Sequence, residues 1–258
     1  LLDSFVLNRI NTKYGLSLTI NHLNGFVDDP LPDQVIGYIE EERAHFRDLG
    51  KHLILVNEGN PYGFYKVVRD YAEANGTFYD KNDNPLTETK KGWKFYKPNN
   101  PNEVVICASD HIWLYSAENG KSKYESVVHF SSDYSRQKMN NKFGYVTVGV
   151  QQFESNKEKK EFSFSGQSIT EKLEPSLDSL GDIKVTQRDS RVIIALFSPY
   201  RYRIPEYRGY NVKELKDTLR FAFILKNRRG REGLIDPLFF NGAAETFEEL
   251  PLPYTDEE

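Results

Sequence analysis

The sequence has 258 residues, of which 38% are hydrophobic, 28% charged and 14% aromatic, enough to bury one substantial core or two small ones. Its single cysteine, Cys107, lies in the apolar run 104–108, which predicts a buried thiol in a reducing compartment and excludes a disulfide framework. No apolar stretch approaches the roughly 20 residues that a membrane-spanning helix needs, and no signal peptide is recognisable. We therefore expect a cytoplasmic globular protein, and the missing initiator methionine indicates part of a longer polypeptide.

The net charge of −4 hides an uneven distribution of charge along the chain. Residues 184–232 hold thirteen Lys and Arg side chains against five acidic ones. This basic block is either a solvated surface or a face that binds phosphates or nucleic acid. Residues 233–258 hold seven acidic side chains and no Lys or Arg, so the end of the chain, 243–258, is predicted to be an acidic tail.

Hydrophobic periodicity organises the first hundred residues. It predicts helices over residues 4–16 and 33–49, a short buried strand over 52–56, and a helix over 62–74. Residues 76–102 are rich in Asn, Asp, Lys, Gly and Pro, which predicts a surface loop or a small insertion.

Further apolar runs predict a sheet. Residues 104–108, 145–150 and 191–197 are short and continuous, as expected of parallel strands, and the first is predicted to be buried on both faces. A helix over about 122–140 separates the first two strands. Residues 219–240 contain two runs around a turn and predict an antiparallel hairpin. The predicted fold is α/β, with a mainly parallel sheet flanked by helices and closed by a C-terminal β-hairpin.

Polar residues follow two of the predicted strands, where ligands of open α/β sheets bind. Asp110 and His111 follow the first, and Gln151 and Gln152 follow the second. An aspartate after a buried strand suits a Walker B site, where its carboxylate holds Mg²⁺ through a water, but it also suits a turn or a helix cap. His111 and His129 would form a zinc pair only around a hairpin turn, and we favour a helix there.

A short segment imitates a phosphate-binding loop. Residues 119–122 spell Asn-Gly-Lys-Ser, but the glycine required upstream is replaced by Tyr115, and the segment follows the candidate aspartate instead of opening the fold. We therefore exclude it as a phosphate cradle.

Several motifs, taken in chain order, resemble the ATPase motor of the DnaB-type replicative helicases, a RecA-like P-loop NTPase. The motifs are 109–112 with Glu118, 148–152, 187–196 and 224–230, and segments 197–202, 239–243 and 247–251 resemble the phage and Bacteroides-like versions. The resemblance covers about residues 50–253. It implies one RecA-like ATPase domain over residues 1–258, with ATP and Mg²⁺ as cofactors, in a bacterial or phage-infected cell.

The resemblance also implies partners. They are single-stranded DNA, which the motor would translocate along, and further copies of the chain in a closed hexameric ring with nucleotide between subunits. A primase or a helicase loader is a further candidate partner, and no membrane is implied.

Individual positions acquire roles from this resemblance. Asp110 matches the Walker B aspartate, which would hold Mg²⁺ through a water. Gln152 best matches the glutamine that senses the γ-phosphate, with Gln151 as the alternative. Lys226 and Arg228 match the basic pair that reaches into the neighbouring subunit's nucleotide, where a cation stabilises charge on the transferring phosphoryl group. Without the resemblance, this pair would be taken as a solvated hairpin tip.

The loop that follows the sensor glutamine resembles the channel loop with which this family grips the backbone of single-stranded DNA. Another basic segment, before the second parallel strand, is a candidate for a second channel loop. The residues so implicated are Leu180, Gly181, Asp182 and Lys184 in the first loop, and Arg136, Lys138 and Lys142 in the second.

Two family features are missing from the sequence. No loop ending in Gly-Lys-Ser/Thr opens the chain, and Glu58 does not match the family's catalytic glutamate, which we expect before Leu1. We therefore expect no ATP hydrolysis by this segment alone. Three explanations are open: the P-loop part lies outside this sequence, it belongs to another chain, or it is lost in a degenerate subunit. The alternatives are a Mg²⁺-dependent, Toprim-like nuclease using Glu58 and Asp110, and a non-catalytic RecA-like ring, scaffold or packaging-type ATPase subunit.

Overall fold

The computed structural model describes residues 2–26, 30–87, 92–152, 173–180, 184–242 and 245–253. The chain forms two compact units. Unit 1 comprises residues 1–55, 164–175 and 194–258, and unit 2 comprises residues 56–163 and 176–193. The fold is mixed α/β, as predicted, with one parallel pair of strands and several antiparallel pairs among the described residues.

Unit 1 begins with three helices, α1 (Leu2–Tyr14), α2 (Ile20–Leu23) and α3 (Asp33–Gly50). The long helices lie where periodicity predicts them. Ion pairs fasten α1 to α3: the carboxylate of Glu42, 3% exposed, accepts hydrogen bonds from Arg9 and, at 2.6 Å, from Lys13 Nζ. These donors outweigh the cost of removing the carboxylate from water.

Unit 2 combines helices with two pairs of strands. Its elements are α4 (Pro61–Ala74), β1 (Gly76–Tyr79), β2 (Phe95–Pro98), β3 (Ile106–Ser109), α5 (Lys123–His129), the π-helical segment (Phe130–Phe143), β4 (Val146–Gly149) and α6 (Lys184–Asp189). Strands β1 and β2 are antiparallel, and β3 and β4 are parallel.

Local chemistry fixes where these helices begin and end. Asn60 caps α4 by accepting a hydrogen bond from Gly63 N at 2.9 Å, with Pro61 at the first helical position. Ser122 and Glu125 form a capping box at the start of α5. The π-helical segment ends at Gly144, whose φ of 77° is a left-handed conformation that glycine adopts without steric cost.

The core of unit 2 is largely aromatic. Phe78 is fully buried, and its ring packs edge-on against Trp93 and Tyr96. The buried residues of this core are Phe64, Tyr65, Val68, Ala72, Phe78, Tyr96, Cys107, Ile112, Val127, Phe130, Tyr134, Met139, Phe143 and Tyr145. Cys107 is buried and unpaired, as the sequence predicts, and burial raises the pKa of its thiol to about 11.

The carboxyl-terminal part of unit 1 contains several antiparallel strand pairs. Its strands are β5 (Val192–Phe197), β6 (Glu206–Tyr207), β7 (Tyr210–Asn211), β8 (Leu219–Asn227), β9 (Ile235–Asn241) and β10 (Thr246–Glu249), with the short helix α7 (Val212–Leu215) after β7. One four-stranded sheet has the order β10-β9-β8-β5. The β8–β9 hairpin, with Leu219 opposite Phe239, confirms the predicted one.

The predicted mainly parallel sheet is found only in part. Strands β3 and β4 pair in parallel, β8, β9 and β10 pair antiparallel, and the run predicted as a third parallel strand, β5, lies beside β8 in the four-stranded sheet. The expectation that residues 104–108 are buried on both faces is wrong, because Val104 and Ile106 are 74% and 64% exposed. An apolar run specifies neither strand direction nor what covers its second face.

Three other segments differ from the sequence-based predictions. Residues 53–58 form no regular structure and Leu55 is 87% exposed, since a strand needs a hydrogen-bonded neighbour as well as apolar residues. Residues 76–102, predicted as a surface loop or a small insertion, contain the β1–β2 hairpin, whose Phe78 and Tyr96 lie in the core. The predicted acidic tail contains β10, which pairs with β9, while residues 243–244 and 254–258 lie outside the described residues.

No described helix combines the length and the apolar character that crossing a bilayer demands.

Candidate functional site

The parallel pair β3–β4 brings two of the predicted site segments to one edge. Ser109 lies opposite Gly149 in the register, so both strands end at the same level. Hydrogen bonds from Val150 N to Ser109 O (3.0 Å) and from Ile112 N to Val150 O (2.9 Å) continue the pairing past the strands. Asp110 and Gln151 therefore leave the sheet at the same edge, as the sequence predicts.

Asp110 presents an exposed carboxylate at this edge. Within the described part of the chain, it makes no hydrogen bond. An exposed carboxylate without competing partners suits a hydrated Mg²⁺ ion, which is held through oxygen ligands and retains several waters.

His111 turns the chain away from β3 in a left-handed conformation, with φ of 62°, which is uncommon for a residue other than glycine. Its ring atom Nδ1 is buried and has no hydrogen-bond partner among the described residues. The next residue, Ile112, packs into the core. His111 thus turns the chain back toward the core directly after Asp110.

The two candidate sensor glutamines have different surroundings. Gln151 is half-buried, and its Nε2 donates to Leu180 O at 3.0 Å while its Oε1 accepts from Thr186 Oγ1 at 3.0 Å. Gln152 is exposed, and its amide makes no hydrogen bond with the described residues. The amide of Gln151 is therefore occupied within the protein, whereas that of Gln152 is available to a ligand.

The predicted first DNA loop is described only in part. Leu180 ends a short 3₁₀ turn, Leu177–Leu180, and its carbonyl accepts the hydrogen bond from Gln151. Lys184 begins α6 with an exposed side chain. Gly181 and Asp182 lie outside the described residues.

The basic residues proposed for a second DNA loop lie on the π-helical segment and make internal contacts. Arg136 Nη1 donates to Asp189 Oδ1 at 2.9 Å. Lys138 Nζ lies 2.7 Å from Asp133 Oδ2 and 4.9 Å from the ring centroid of Tyr134. Lys142 is exposed, with its ammonium 4.6 Å from the Trp93 ring centroid. The first two cations thus help to hold the segment in place.

Asp189 is a buried anchor that sequence analysis did not single out. Its side chain is 3% exposed and accepts hydrogen bonds from Ser131, Ser132, Arg136 and Arg188. Burial alone would raise the pKa of this carboxyl, but the hydrogen bonds from Ser132, Arg188 and Arg136 outweigh burial and hold the pKa below its usual value. The only sequence feature that pointed to Asp189 is its position within the motif 187–196.

The basic pair on the carboxyl-terminal hairpin belongs to unit 1. Lys226 is half-buried near the end of β8, and Arg228 is exposed in the turn that follows. Asn227 organises this turn: its backbone N donates to Glu232 Oε1 at 3.0 Å, and its Oδ1 accepts from Arg229 N at 3.2 Å. The hairpin tip therefore has a defined shape that presents Arg228 to the solvent.

The described residues contain no cluster of three or more His, Cys, Asp or Glu side chains suited to binding a metal ion. Glu58 instead lies over the first turn of α4, where a Cβ added to Gly63 would be 2.4 Å from Glu58 Oε2. The nuclease alternative, which pairs Glu58 with Asp110, is therefore not favoured.

Comparison of the whole fold with solved structures gives two informative neighbours. One is a DnaB-like replicative helicase described together with its interactions with primase, at a TM-score of 0.63 and 13% identity, covering 97% of this chain and 48% of that one. The other is described as an ATPase domain, at the same TM-score and identity, covering 97% of this chain and 70% of that one. The chain has the fold of a DnaB-type helicase ATPase domain.

This DnaB-type fold confirms the resemblance drawn from the order of the sequence motifs, and the chain spans about half the length of the first of these neighbours. No protein-family model matches the sequence, and no curated protein matches it. The fold, and not sequence identity, therefore relates this chain to the helicase ATPases.

Proposed function

We propose that the chain is the motor portion of a DnaB-type replicative helicase, an ATP-driven translocase on single-stranded DNA. The main observation in support is that β3 and β4 end at the same level, so that Asp110 and the pair Gln151–Gln152 follow the two strands at one edge of a parallel sheet. A metal-binding carboxylate and a phosphate-sensing amide must lie this close to act on one nucleotide. The DnaB-type fold supports the same assignment.

Each residue at this edge then has a chemical task. Asp110 binds Mg²⁺ through a water, and the ion neutralises charge on the phosphates. Gln152 donates its amide to the γ-phosphate, since its side chain is exposed while that of Gln151 is engaged by Leu180 and Thr186. Gln151 holds the neighbouring loop at the sheet edge.

The remaining proposed residues act outside this edge. Lys226 and Arg228 supply positive charge to the nucleotide of an adjacent subunit, which requires a head-to-tail ring, and we propose a hexamer. Leu180, Gly181, Asp182 and Lys184 approach the DNA backbone, with Arg136 and Lys138 on the neighbouring helical segment. Since no P-loop occurs in this sequence, hydrolysis depends on a P-loop outside it, and a primase or loader remains a proposed partner of the full protein.

Hydrolysis of ATP by the full-length gene product tests this proposal. We expect DNA-stimulated hydrolysis in the wild type and a loss of at least about 100-fold in Asp110→Asn and Gln152→Ala, as when a preorganised electrostatic contact is removed. Asp83→Asn, which changes an exposed aspartate on the turn between β1 and β2, is the matched control and should retain activity. A wild type without ATPase activity contradicts the helicase and supports a scaffold.

A further inference from the structure

A cavity of about 280 Å³ lies in unit 2, and none of the residues assigned to the proposed motor lines it. It opens between the start of α4, the loop that precedes α5, and the π-helical segment. Its walls are Asn60, Tyr62, Ala117, Glu118, Asn119 and Tyr134. The walls combine one carboxylate, two amides and two phenol rings, a combination that favours a ligand with hydrogen-bond donors.

The carboxylate in this cavity is both buried and rigidly held. The side chain of Glu118 is 8% exposed, and its backbone N donates to Ser126 Oγ at 2.9 Å. Its Oε2 accepts from Lys121 Nζ at 2.5 Å and from His129 Nδ1 at 3.0 Å. Burial alone would raise the pKa of Glu118, but hydrogen bonds with Lys121, His129 and Tyr134 outweigh burial and hold the pKa below its usual value, so the group is an anion at neutral pH.

The second carboxylate oxygen is different. Glu118 Oε1 is buried and has no hydrogen-bond partner among the described residues. A buried, unpaired acceptor of a charged group is costly, and a donor that reaches it from the cavity recovers that cost. Lys121 and His129 approach Oε2, so Oε1 can accept a hydrogen bond from a ligand in the cavity.

Two tyrosines line the same cavity. Tyr62 is 55% exposed and Tyr134 is buried, and their ring centroids are 6.4 Å apart with planes inclined by 53°. The ring of Tyr134 already has neighbours: Tyr65 is stacked on it at 4.8 Å, and the His129 ring and the Lys138 ammonium lie 4.5 Å and 4.9 Å from its centroid. Since aromatic faces attract cations within about 6 Å of the centroid, Tyr62 is the ring that can receive a further cation.

We propose that this cavity binds the guanidinium or ammonium group of a ligand, with one N–H donating to Glu118 Oε1 and the cation lying against the ring of Tyr62. The nearby charges of Glu118 and Asp133 are matched by Lys121 and Lys138, so the attraction comes from the unpaired oxygen and the exposed aromatic face of Tyr62. A guanidinium group fits best, since it is weakly hydrated, planar and able to stack while donating hydrogen bonds. The cation is carried either by a free small molecule or by an arginine or lysine side chain of another copy of the chain.

Calorimetric titration of the full chain with N-methylguanidinium tests the site, with the neutral isostere N-methylurea as the control ligand. We expect saturable binding of the cation alone, weakened at least about tenfold in Glu118→Gln, because a charge-assisted hydrogen bond is lost. Since Glu118→Gln also removes the partner of Lys121, Tyr62→Leu provides an independent variant. It should weaken binding by about two- to fivefold, as expected for an exposed cation–π contact.

Tyr124→Leu, on a tyrosine that is 44% exposed outside the cavity, is the matched control and should bind N-methylguanidinium like the wild type. No saturable binding of the cation, equal binding of N-methylurea, or unchanged binding by Glu118→Gln overturns the proposal. Binding of cytidine in place of N-methylguanidinium also overturns it, in favour of a nucleobase pocket.

Sedimentation velocity of the wild type with saturating N-methylguanidinium then separates the two sources of the cation. Dissociation of oligomers by the ligand assigns the cation to a side chain of a neighbouring copy. An unchanged oligomeric state assigns it to a free small molecule. Both results retain the cation site, and neither depends on ATP hydrolysis, so the site can fail without the helicase proposal failing.

Discussion

The side-chain amide of Gln151 donates to the carbonyl oxygen of Leu180 at 3.0 Å, joining the end of β4 to the segment that precedes α6. Thr186 completes the link by donating to the same amide from within α6. The sheet edge that carries the proposed phosphate sensor and the proposed DNA loop are therefore connected by one side chain.

Replacing Gln151 by Met, which has a similar shape and no amide, should loosen this connection. Two hydrogen bonds are lost, and at roughly 1 kcal/mol each we expect backbone amides of residues 177–180 and 184–190 to exchange at least about fivefold faster. Hydrogen exchange followed by mass spectrometry measures this directly. The exposed Gln152→Met is the control, and equal acceleration in both variants would contradict a specific role for Gln151.

The buried ion pair between Arg136 and Asp189 should be worth more than a surface pair. Arg136→Met removes one donor from a carboxylate that is 3% exposed, so the free energy of unfolding should fall by about 1–3 kcal/mol. Asp189→Asn should cost less stability in this variant than in the wild type, because the contact with Arg136 is then already lost.

Urea denaturation of the two single variants and the double variant gives the coupling. Lys66→Met, at an exposed site on α4, is the control and should change stability by less than about 0.5 kcal/mol. A loss of DNA binding by Arg136→Met would support a DNA-binding role for Arg136 only if another variant, destabilised by the same amount, still bound DNA. Additive effects of the two substitutions would contradict the pairing.

Two glycines should respond to alanine with opposite signs. A Cβ at Gly76 would lie 2.4 Å from the buried ring of Tyr96, so Gly76→Ala should destabilise the protein by about 1–3 kcal/mol. Gly37 lies inside α3 with nothing within 4 Å of the added atom, so Gly37→Ala should stabilise it by about 0.5–1 kcal/mol. Thermal unfolding of both variants checks the signs, and destabilisation by Gly37→Ala would contradict the open surroundings of that residue.

The ion pairs between α1 and α3 predict a loss of stability in acid. Hydrogen bonds from Lys13 and Arg9 lower the pKa of Glu42 from 4.5 to about 2. A carboxyl with a lowered pKa stabilises the fold above its unfolded value, and that contribution is lost as the pH falls through the folded value. The free energy of unfolding should therefore fall between pH 4.5 and pH 2.

Glu42→Gln removes this linkage and Lys13→Met weakens it, since Arg9 remains, so both variants should depend less on pH over that interval than the wild type. Urea denaturation at several pH values provides the comparison. A wild-type stability that is constant across the interval, or variants with the same slope as the wild type, would contradict the assignment.

Local signals explain which elements were predictable. Helices α3 and α4 combine helical periodicity with clear ends, and α5 begins at a capping box, so each follows from neighbouring residues alone. Residues 53–56 are apolar but form no strand, because strand pairing depends on residues far along the chain. For the same reason, the sequence alone does not show that one face of β3 is exposed.

The candidate site divides in the same way. Asp110 and Gln151 were predictable because polar residues that follow parallel strands meet at one edge. The cavity around Glu118 was not, since its rings come from α4 and from the π-helical segment, which lie far apart in the sequence. Asp189 was also missed, because a single aspartate does not reveal the four donors that gather around it.

The most direct test of the proposed motor is DNA-stimulated ATP hydrolysis by mixed Asp110→Asn and Arg228→Ala subunits of the full-length gene product. A site shared between adjacent subunits predicts that each variant alone is inactive and that equal mixing restores activity at about a quarter of the interfaces, where an intact Asp110 meets an intact Arg228. Two inactive variants that stay inactive when mixed, beside an active wild type, would contradict a nucleotide site built between subunits.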